Sequence, residues 1–238
     1  MAASAGFEFL GAAHAGALVL TLAAPVLLAA IARRAGGRAA KLIRWALAGL
    51  LTGAWILWFA YLYQRGWLAV ETALPMHLCD WATIVTIITL IRPHQRTYEL
   101  AYFWALGGTL QALMTPDLGF DFPSVEFIVF FALHGGVIAS VLYLTLGLRM
   151  RPVPRSLLRA ALWSLAYMAS ALAVNALLDT NFGYLSAKPL RPSVLDYFAA
   201  WPYYIFEIVL LGGVSLLVYY APFFIADRLR ARRMDSAA

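Results

Sequence analysis

The side chains best suited to chemistry fall in the run LPMHLCDW at 74–81. Pro75 favours the first turn of a helix, so His77 and Asp80, three residues apart, are expected on one helix face, where the carboxylate can fix the imidazole tautomer. Cys79, the only cysteine, is then expected in the second turn, where the helix dipole and a nearby imidazole favour the thiolate. The run predicts either a nucleophilic cysteine or a buried free thiol without a role.

Two later segments carry groups that match this run. Gln111 follows Gly107-Gly108 on one expected helix and either orients a carbonyl or bonds a neighbouring helix, while Glu126 and His134 lie on the next. His134 is a candidate general base. At 1.5 Å per residue, the expected spans place Cys79 about 7 Å and His134 about 15 Å from their span starts. His77 is therefore kept as the alternative base.

The connection over 179–189 is expected to be the longest one, and its turn formers and aromatic residues predict a lid. Asn175, Asn181 and Tyr184 stand in or beside this connection as candidate substrate contacts. Lys188, with Arg191, is a candidate for holding a phosphate or a lipid headgroup. The alternative is that Lys188 is an ordinary anchor at the membrane interface.

Composition decides what must position these groups. The chain has 238 residues, of which 63% are hydrophobic and 13% charged, and its mean hydropathy is +0.77. So much apolar surface does not fit inside one small water-soluble core. Long apolar runs without strand-like alternation predict an all-α bundle of about seven transmembrane helices. The spans are expected at 8–32, 43–63, 74–91, 98–115, 124–147, 157–178 and 203–225.

The basic residues predict the orientation of this bundle. Of the 18 Lys and Arg residues, only Arg65, Lys188 and Arg191 fall in one set of connections, and the others fall in the opposite set. Because cytoplasmic loops retain Lys and Arg, we expect the N-terminus outside and the C-terminus in the cytoplasm, in a bacterial plasma membrane. These cations are explained by topology, so nucleic-acid binding is not expected. No linker or repeat interrupts 1–238, which predicts a single domain.

The polar residues are unevenly distributed across the membrane under this orientation. The inner halves of the helices are expected to be almost purely apolar, whereas the outer halves and loops are not. An ionisable residue inside a span is costly unless it is paired or lines a wet cavity, so the asymmetry predicts a pocket that opens to the outer face. The outer set comprises Glu8, His14, His77, Cys79, Asp80, Gln111, Asp117, Asp121, Glu126, His134, Asn175, Asn181, Lys188, Asp196 and Glu207.

Several of these strings, in order, resemble the YwaF-like integral membrane proteins, which are similar to the transmembrane protein 164 family of eukaryotes. The resemblance rests on LPMHLCDW at 74–81, YELAYFWALGGTLQALMTPDL at 98–118, FPSVEFIVFFALHGGVIASVLY at 122–143, NALLDTNFGYLSAKP at 175–189 and LDYFAAWPYY at 195–204. It implies acyl transfer into phospholipids by a cysteine and a histidine. Carried onto this chain, these residues are Cys79 and His134.

The resulting hypothesis is a membrane-embedded lipid acyltransferase or lipid ester hydrolase, acting on a phospholipid or fatty-acyl substrate without a cofactor. Cys79 would be the nucleophile, His134 or His77 the base, Asp80 the orienting carboxylate and Gln111 an oxyanion donor. Two alternatives stay open. One is a metal-dependent lipid hydrolase that uses His77, Asp80, His134, Glu126 and His14. The other is a non-catalytic lipid or small-molecule binding protein or transporter.

Overall fold

A computed structural model describes residues 6–189 and 193–235 of the chain. The described residues form helices joined by short connections and contain no strand beyond one isolated bridge between Gly6 and Phe120. A π-helical segment, Ala105–Thr109, joins α5 to α6. The helices are α1 (Ala12–Ala35), α2 (Gly37–Arg65), α3 (Val70–Ala73), α4 (Leu78–Ile91), α5 (Gln95–Trp104), α6 (Leu110–Met114), α7 (Val125–Gly147), α8 (Pro154–Leu178) and α9 (Tyr204–Asp235).

The predicted all-α membrane bundle is confirmed. Within the described residues, 6 helical stretches are long and apolar enough to cross a membrane. The run from α5 through the π-helical segment to α6 occupies the place of the predicted span 98–115, although its first turns are more polar. With this run the helical stretches number seven, as the sequence predicted. The sidedness of the termini in the membrane stays a prediction.

Helix α7 is the centre of the bundle and packs against α1, α2 and α4. Its glycines make this packing close. A Cβ atom on Gly135 would lie 2.6 Å from the Thr21 hydroxyl of α1, and one on Gly136 would lie 2.8 Å from Leu51 of α2. Small residues at such contacts let membrane helices approach closely, which gains van der Waals packing that lipid cannot supply. The backbone of α7 is thereby fixed on both sides.

The end of the bundle at which α5 begins is not as apolar as we expected. Glu99 is fully buried there, and its carboxylate receives two hydrogen bonds of 2.7 Å from Arg159 of α8. Gln95 adds a third, at 2.8 Å. A buried carboxylate needs such partners because it has lost its water. The prediction of purely apolar inner halves is wrong here, because Glu99 lies in the first turns of a predicted span and is neutralised by a residue from another helix.

The chain that leads into α4 also differs from the prediction. Helix α4 begins at Leu78, four residues later than expected, and His77 is its N-cap residue. Pro75 therefore lies in an extended segment between α3 and α4. Irregular backbone at membrane depth is tolerated where protein surrounds it or where it lines a cavity. The Tyr167 hydroxyl of α8 bonds the carbonyl of Met76 in this segment at 3.2 Å.

Candidate functional site

A cavity of about 460 Å³, which we call the site cavity, lies at the end of the bundle where α4 and α7 begin. Its wall combines two imidazoles with four carboxylates. Residues from α4, α7 and the connections between helices contribute to it, so groups far apart in sequence converge. The ionisable residues on the wall are Glu71, His77, Asp80, Asp117, Glu126 and His134.

His134 of α7 is held with one ring nitrogen free. Its Nδ1 lies 3.0 Å from the carbonyl oxygen of Phe130, one turn earlier on the same helix. A carbonyl oxygen can only accept, so Nδ1 carries the proton of the neutral ring and Nε2 carries the lone pair. The ring also stacks on Phe130, with 4.1 Å between the ring centroids. His134 thus has a fixed tautomer and a fixed orientation, as a general base requires.

His77 has the opposite tautomer. The backbone N–H of Gly183 donates to Nδ1 of His77 at 3.4 Å, which leaves the proton of the neutral ring on Nε2. The two imidazoles lie within electrostatic reach of one another. Both histidines line the site cavity, His77 from the start of α4 and His134 from α7. One wall therefore offers a lone pair on His134 and a donor on His77.

Asp80 does not orient the His77 ring as the sequence suggested. Its Oδ2 accepts a hydrogen bond of 2.9 Å from the backbone N–H of His77. This is the expected contact of a carboxylate at the third position of a helix with the N-cap backbone. Asp80 therefore fixes the start of α4, while the Phe130 carbonyl takes the orienting role for His134.

Cys79 is the second residue of α4 and lies in its first turn rather than in the second. Its side chain is half-buried. The thiol lies beside the Thr109 hydroxyl and within electrostatic reach of Asp80 and Tyr184. The residues that line the described wall of the site cavity include its neighbours His77 and Asp80 but not Cys79 itself.

The connection over 179–189, which we call the strap, packs on His77. The Phe182 ring meets the imidazole edge-on at 5.3 Å between centroids. The Tyr184 ring also lies near this imidazole, with 6.1 Å between the ring centroids. Burial raises the pKa of the Tyr184 hydroxyl, and the nearby Asp117 and Cys79 add to the shift. The strap therefore covers the thiol and one imidazole together.

The predicted substrate contacts Asn175, Asn181 and Lys188 hold the strap in place. The Asn175 amide bonds both the N–H and the carbonyl of Phe182, at 2.7 and 3.0 Å. Asn181 closes the strap onto Ala187, and Lys188 donates to the Phe198 carbonyl at 2.7 Å. These intramolecular bonds occupy the polar groups of all three side chains. A direct role in binding substrate stays a prediction.

Aromatic residues line the site cavity beside its carboxylates. Tyr61 of α2 donates a hydrogen bond to Glu126. Trp55, Trp58 and Trp67 also line the cavity, and Arg65 packs outside it, 4.5 Å from the centroid of the Trp67 ring. The described wall contains no Lys or Arg. The combination of carboxylates and tryptophans suits a cation on an apolar stem.

Two further predicted residues lie outside this wall. Gln111 is exposed on α6, and its role as an oxyanion donor stays a prediction. His14 is fully buried, with Nε2 2.9 Å from the Leu113 carbonyl and Nδ1 accepting from the N–H of Leu10. Nε2 thus joins α1 to α6, and Nδ1 holds the chain that leads into α1. His14 therefore has no lone pair left for catalysis.

Sequence reasoning missed Thr109 and Tyr61. Thr109 lies on the π-helical segment beside Cys79, and Tyr61 holds Glu126 from the opposite helix. For Thr109 the sequence offers one signal, the neighbouring Gly107-Gly108 pair. A Cβ atom on Gly108 would lie 3.0 Å from Leu78, the first residue of α4. Nothing in the sequence around Tyr61 distinguishes it from an interfacial tyrosine.

The structure gives the metal-dependent alternative no support. Throughout residues 6–189 and 193–235, no three His, Cys, Asp or Glu side chains converge closely enough to hold a metal ion. Asp80 and Glu126 are engaged by the His77 N–H and the Tyr61 hydroxyl, respectively. His14 is committed to helix packing. Four of the five proposed donors therefore share a cavity wall without forming a compact set of metal ligands.

Comparison with known proteins places most of the chain in one sequence family. Residues 9–220 match the sequence model of the TMEM164 family. An uncharacterized protein of Treponema pallidum (strain Nichols) is 30% identical over 161 residues, which cover 67% of this chain and 64% of that protein. The chain thus spans less than two thirds of the length of this relative. No solved structure matches the chain.

Proposed function

The chain belongs to the TMEM164 family, and from this premise we propose that it transfers or hydrolyses acyl groups of membrane lipids. Cys79 is the nucleophile and His134 the general base. The observation that carries the proposal is the fixed tautomer of His134, which leaves an unprotonated Nε2 on a cavity wall that His77 and Asp80 share. The multi-pass bundle supplies lipid substrate directly from the membrane.

In the first step, Nε2 of His134 takes the Cys79 proton while the sulfur attacks the carbonyl carbon of a lipid ester. The tetrahedral intermediate then collapses. The carbon–oxygen bond to the glycerol breaks, the leaving alkoxide takes the proton back from His134, and a thioester remains on Cys79. The thiol enters the cavity on substrate binding, since catalytic contacts often tighten only in the complex.

In the second step, the hydroxyl of a lysolipid, or water, loses its proton to His134 and attacks the thioester carbonyl. Collapse releases the new ester, or a fatty acid, and the Cys79 sulfur regains the proton. The oxyanion formed in both steps needs donors. The N–H of Cys79 in the first helical turn and Nε2–H of His77 are suited to this role, with Gln111 as the predicted alternative.

The cavity lining favours a phospholipid with a cationic headgroup as the substrate. Four carboxylates and three tryptophans line it, and no Lys or Arg is among the lining residues that the structure describes. A cation near a tryptophan face gains roughly 0.5–2 kcal/mol, depending on how far it is desolvated. A headgroup in the cavity would place the glycerol esters near the start of α4.

The same lining supports a second candidate function, which is binding of a cationic lipid or small molecule without turnover. In that case the half-buried thiol of Cys79 has no chemical role, and His134 only completes the wall. The two candidates differ in one observable, which is covalent exchange of acyl groups. Binding without exchange, unaffected by removal of the thiol, favours the second.

The test is acyl exchange between a labelled donor phospholipid and a lysophospholipid by the purified protein in nanodiscs. We expect Cys79→Ala to abolish exchange and His134→Gln to slow it at least a hundredfold, the usual contribution of a general base. His94→Asn is the matched control, because His94 caps α5 at the opposite end of the bundle and asparagine preserves an N-cap acceptor. Full exchange by Cys79→Ala contradicts the proposal.

A further inference from the structure

The π-helical segment Ala105–Thr109 lies directly against the first turn of α4. A Cβ atom on Gly108 would lie 3.0 Å from the Leu78 side chain, so this side chain packs directly on the backbone of the π-helical segment. π-helical turns are rare and occur mostly at functional sites. Thr109 ends this segment and is only 1% exposed.

The Thr109 hydroxyl is a buried polar group without a settled partner. In the described structure its Oγ1 makes no hydrogen bond of ordinary geometry, although it lies beside the Cys79 thiol. Two threonine hydroxyls of α4, those of Thr83 and Thr89, bond the carbonyls four residues earlier, whereas that of Thr86 is also buried without a partner. A buried donor without an acceptor costs about 1–3 kcal/mol. We therefore expect the Thr109 hydroxyl to gain an acceptor in another state of the site.

The chemistry of the neighbouring atom identifies that state. A neutral thiol is a weak acceptor, whereas a thiolate accepts hydrogen bonds strongly. Loss of the Cys79 proton would therefore give the Thr109 hydroxyl the acceptor that it lacks. The donor is already desolvated and in place, so it needs little reorganisation when the charge forms.

We propose that Thr109 is a positioning residue that donates its hydroxyl proton to the Cys79 sulfur in the thiolate state. This inference rests on the proposed nucleophilic role of Cys79 and adds a residue that the cysteine–histidine pair does not include. No bond to Thr109 forms or breaks in the reaction. Its contribution is to the population and direction of the thiolate.

The test is the pH profile of Cys79 alkylation by iodoacetamide, followed by intact-protein mass spectrometry. We expect Thr109→Val to shift the midpoint of the profile upward and to slow alkylation about tenfold below that midpoint, the size of one hydrogen bond to a charged group. Thr109→Ser keeps the hydroxyl and should restore the profile. Thr86→Val is the matched control, because Thr86 Oγ1 is also buried and unpartnered but lies two helical turns from Cys79.

The outcomes separate this inference from the proposed function. An unchanged profile in Thr109→Val, or an equal shift in Thr86→Val, overturns the role of Thr109 and leaves the role of Cys79 intact. Full acyl exchange by Cys79→Ala overturns the proposed function whatever the alkylation profile shows. An absence of any labelling of Cys79 in the unmodified protein across the pH range contradicts both.

Discussion

The four histidines of this chain occupy four different hydrogen-bond settings, and these settings decide which of them can act as a base. His14 uses both nitrogens, and His94 accepts from the backbone at the start of α5. His77 accepts from the strap. His134 alone has its Nδ1 proton fixed by a carbonyl of its own helix while it lines the site cavity. Residue type does not reveal these differences, because the partner atoms belong to the backbone.

A residue-scale prediction concerns the charge of the site cavity. We expect Glu126→Gln to weaken binding of a short-chain phosphatidylcholine roughly fivefold, about 1 kcal/mol, because one of the carboxylates facing the cation becomes neutral. The glutamine keeps an oxygen that accepts from Tyr61. Quenching of the cavity tryptophans measures binding. Glu8→Gln, outside the cavity wall, is the control, and an equal loss for phosphatidylglycerol would contradict the prediction.

At the scale of elements, the sequence predicted the helices well and their connections poorly. The observed α7, Val125–Gly147, nearly coincides with the predicted span 124–147, because Pro123 and an apolar run define it. Helix α9 continues to Asp235, beyond the predicted end at 225, since a helix does not stop where lipid stops. The prediction failed at 74–77. There the backbone is satisfied by Tyr167 and Asp80, and periodicity carries no information on such contacts.

The candidate site was partly predictable for a related reason. Polar residues in apolar spans are costly, so His77, Asp80, Glu126 and His134 stood out, and all four line one cavity. Thr109 did not stand out, because threonine is common in membrane helices and its importance depends on the π-helical segment. The hydrogen bond between Gly183 and His77 was not predictable, because the two residues are too far apart in sequence for a local pattern to indicate the contact.

Gly183 provides the prediction for the strap. Its φ is +66°, and a Cβ atom there would lie 2.8 Å from the Tyr167 hydroxyl, which holds the segment before α4. Gly183→Ala should therefore loosen the strap and expose His77, with faster proteolysis of residues 179–189. Gly66→Ala is the control, since its φ is +68° but nothing lies near its Cβ. If Gly66→Ala increased cleavage within residues 179–189 as much as Gly183→Ala does, the contact with Tyr167 would not be the cause, and the prediction would be wrong.

At the scale of the whole molecule, the two ends of the bundle differ in how they handle charge. One end holds an open cavity with several carboxylates, whereas the other encloses a single carboxylate, Glu99, between Arg159 and Gln95. The first arrangement leaves room for a ligand. The hydrogen bonds of Glu99 with Arg159 and Gln95 leave no such room, so we assign these three residues a role in stability. The Lys and Arg clusters at this second end still predict that it faces the cytoplasm.

The whole-molecule prediction tests that assignment. Arg159→Met should destabilise the bundle by roughly 3–5 kcal/mol, because a fully buried carboxylate loses its charge partner. Thermal unfolding in detergent measures the loss. Arg155→Met on the exposed side of the same helix is the control, and adding Glu99→Gln to Arg159→Met should recover much of the stability. If Arg159→Met is as stable as the unmodified protein, the pair of Glu99 and Arg159 does not stabilise the fold.

Helices α7 and α9 differ in how strongly their surroundings constrain amino-acid substitution. In the most apolar window of each helix, 67% of α7 is buried but only 6% of α9. A helix that mainly touches lipid is constrained in hydropathy, while one wedged between neighbours is constrained in shape. We therefore expect relatives to conserve the residue types of α7, but only the hydropathy of α9. The family match ends at Tyr220, the last buried residue among those described.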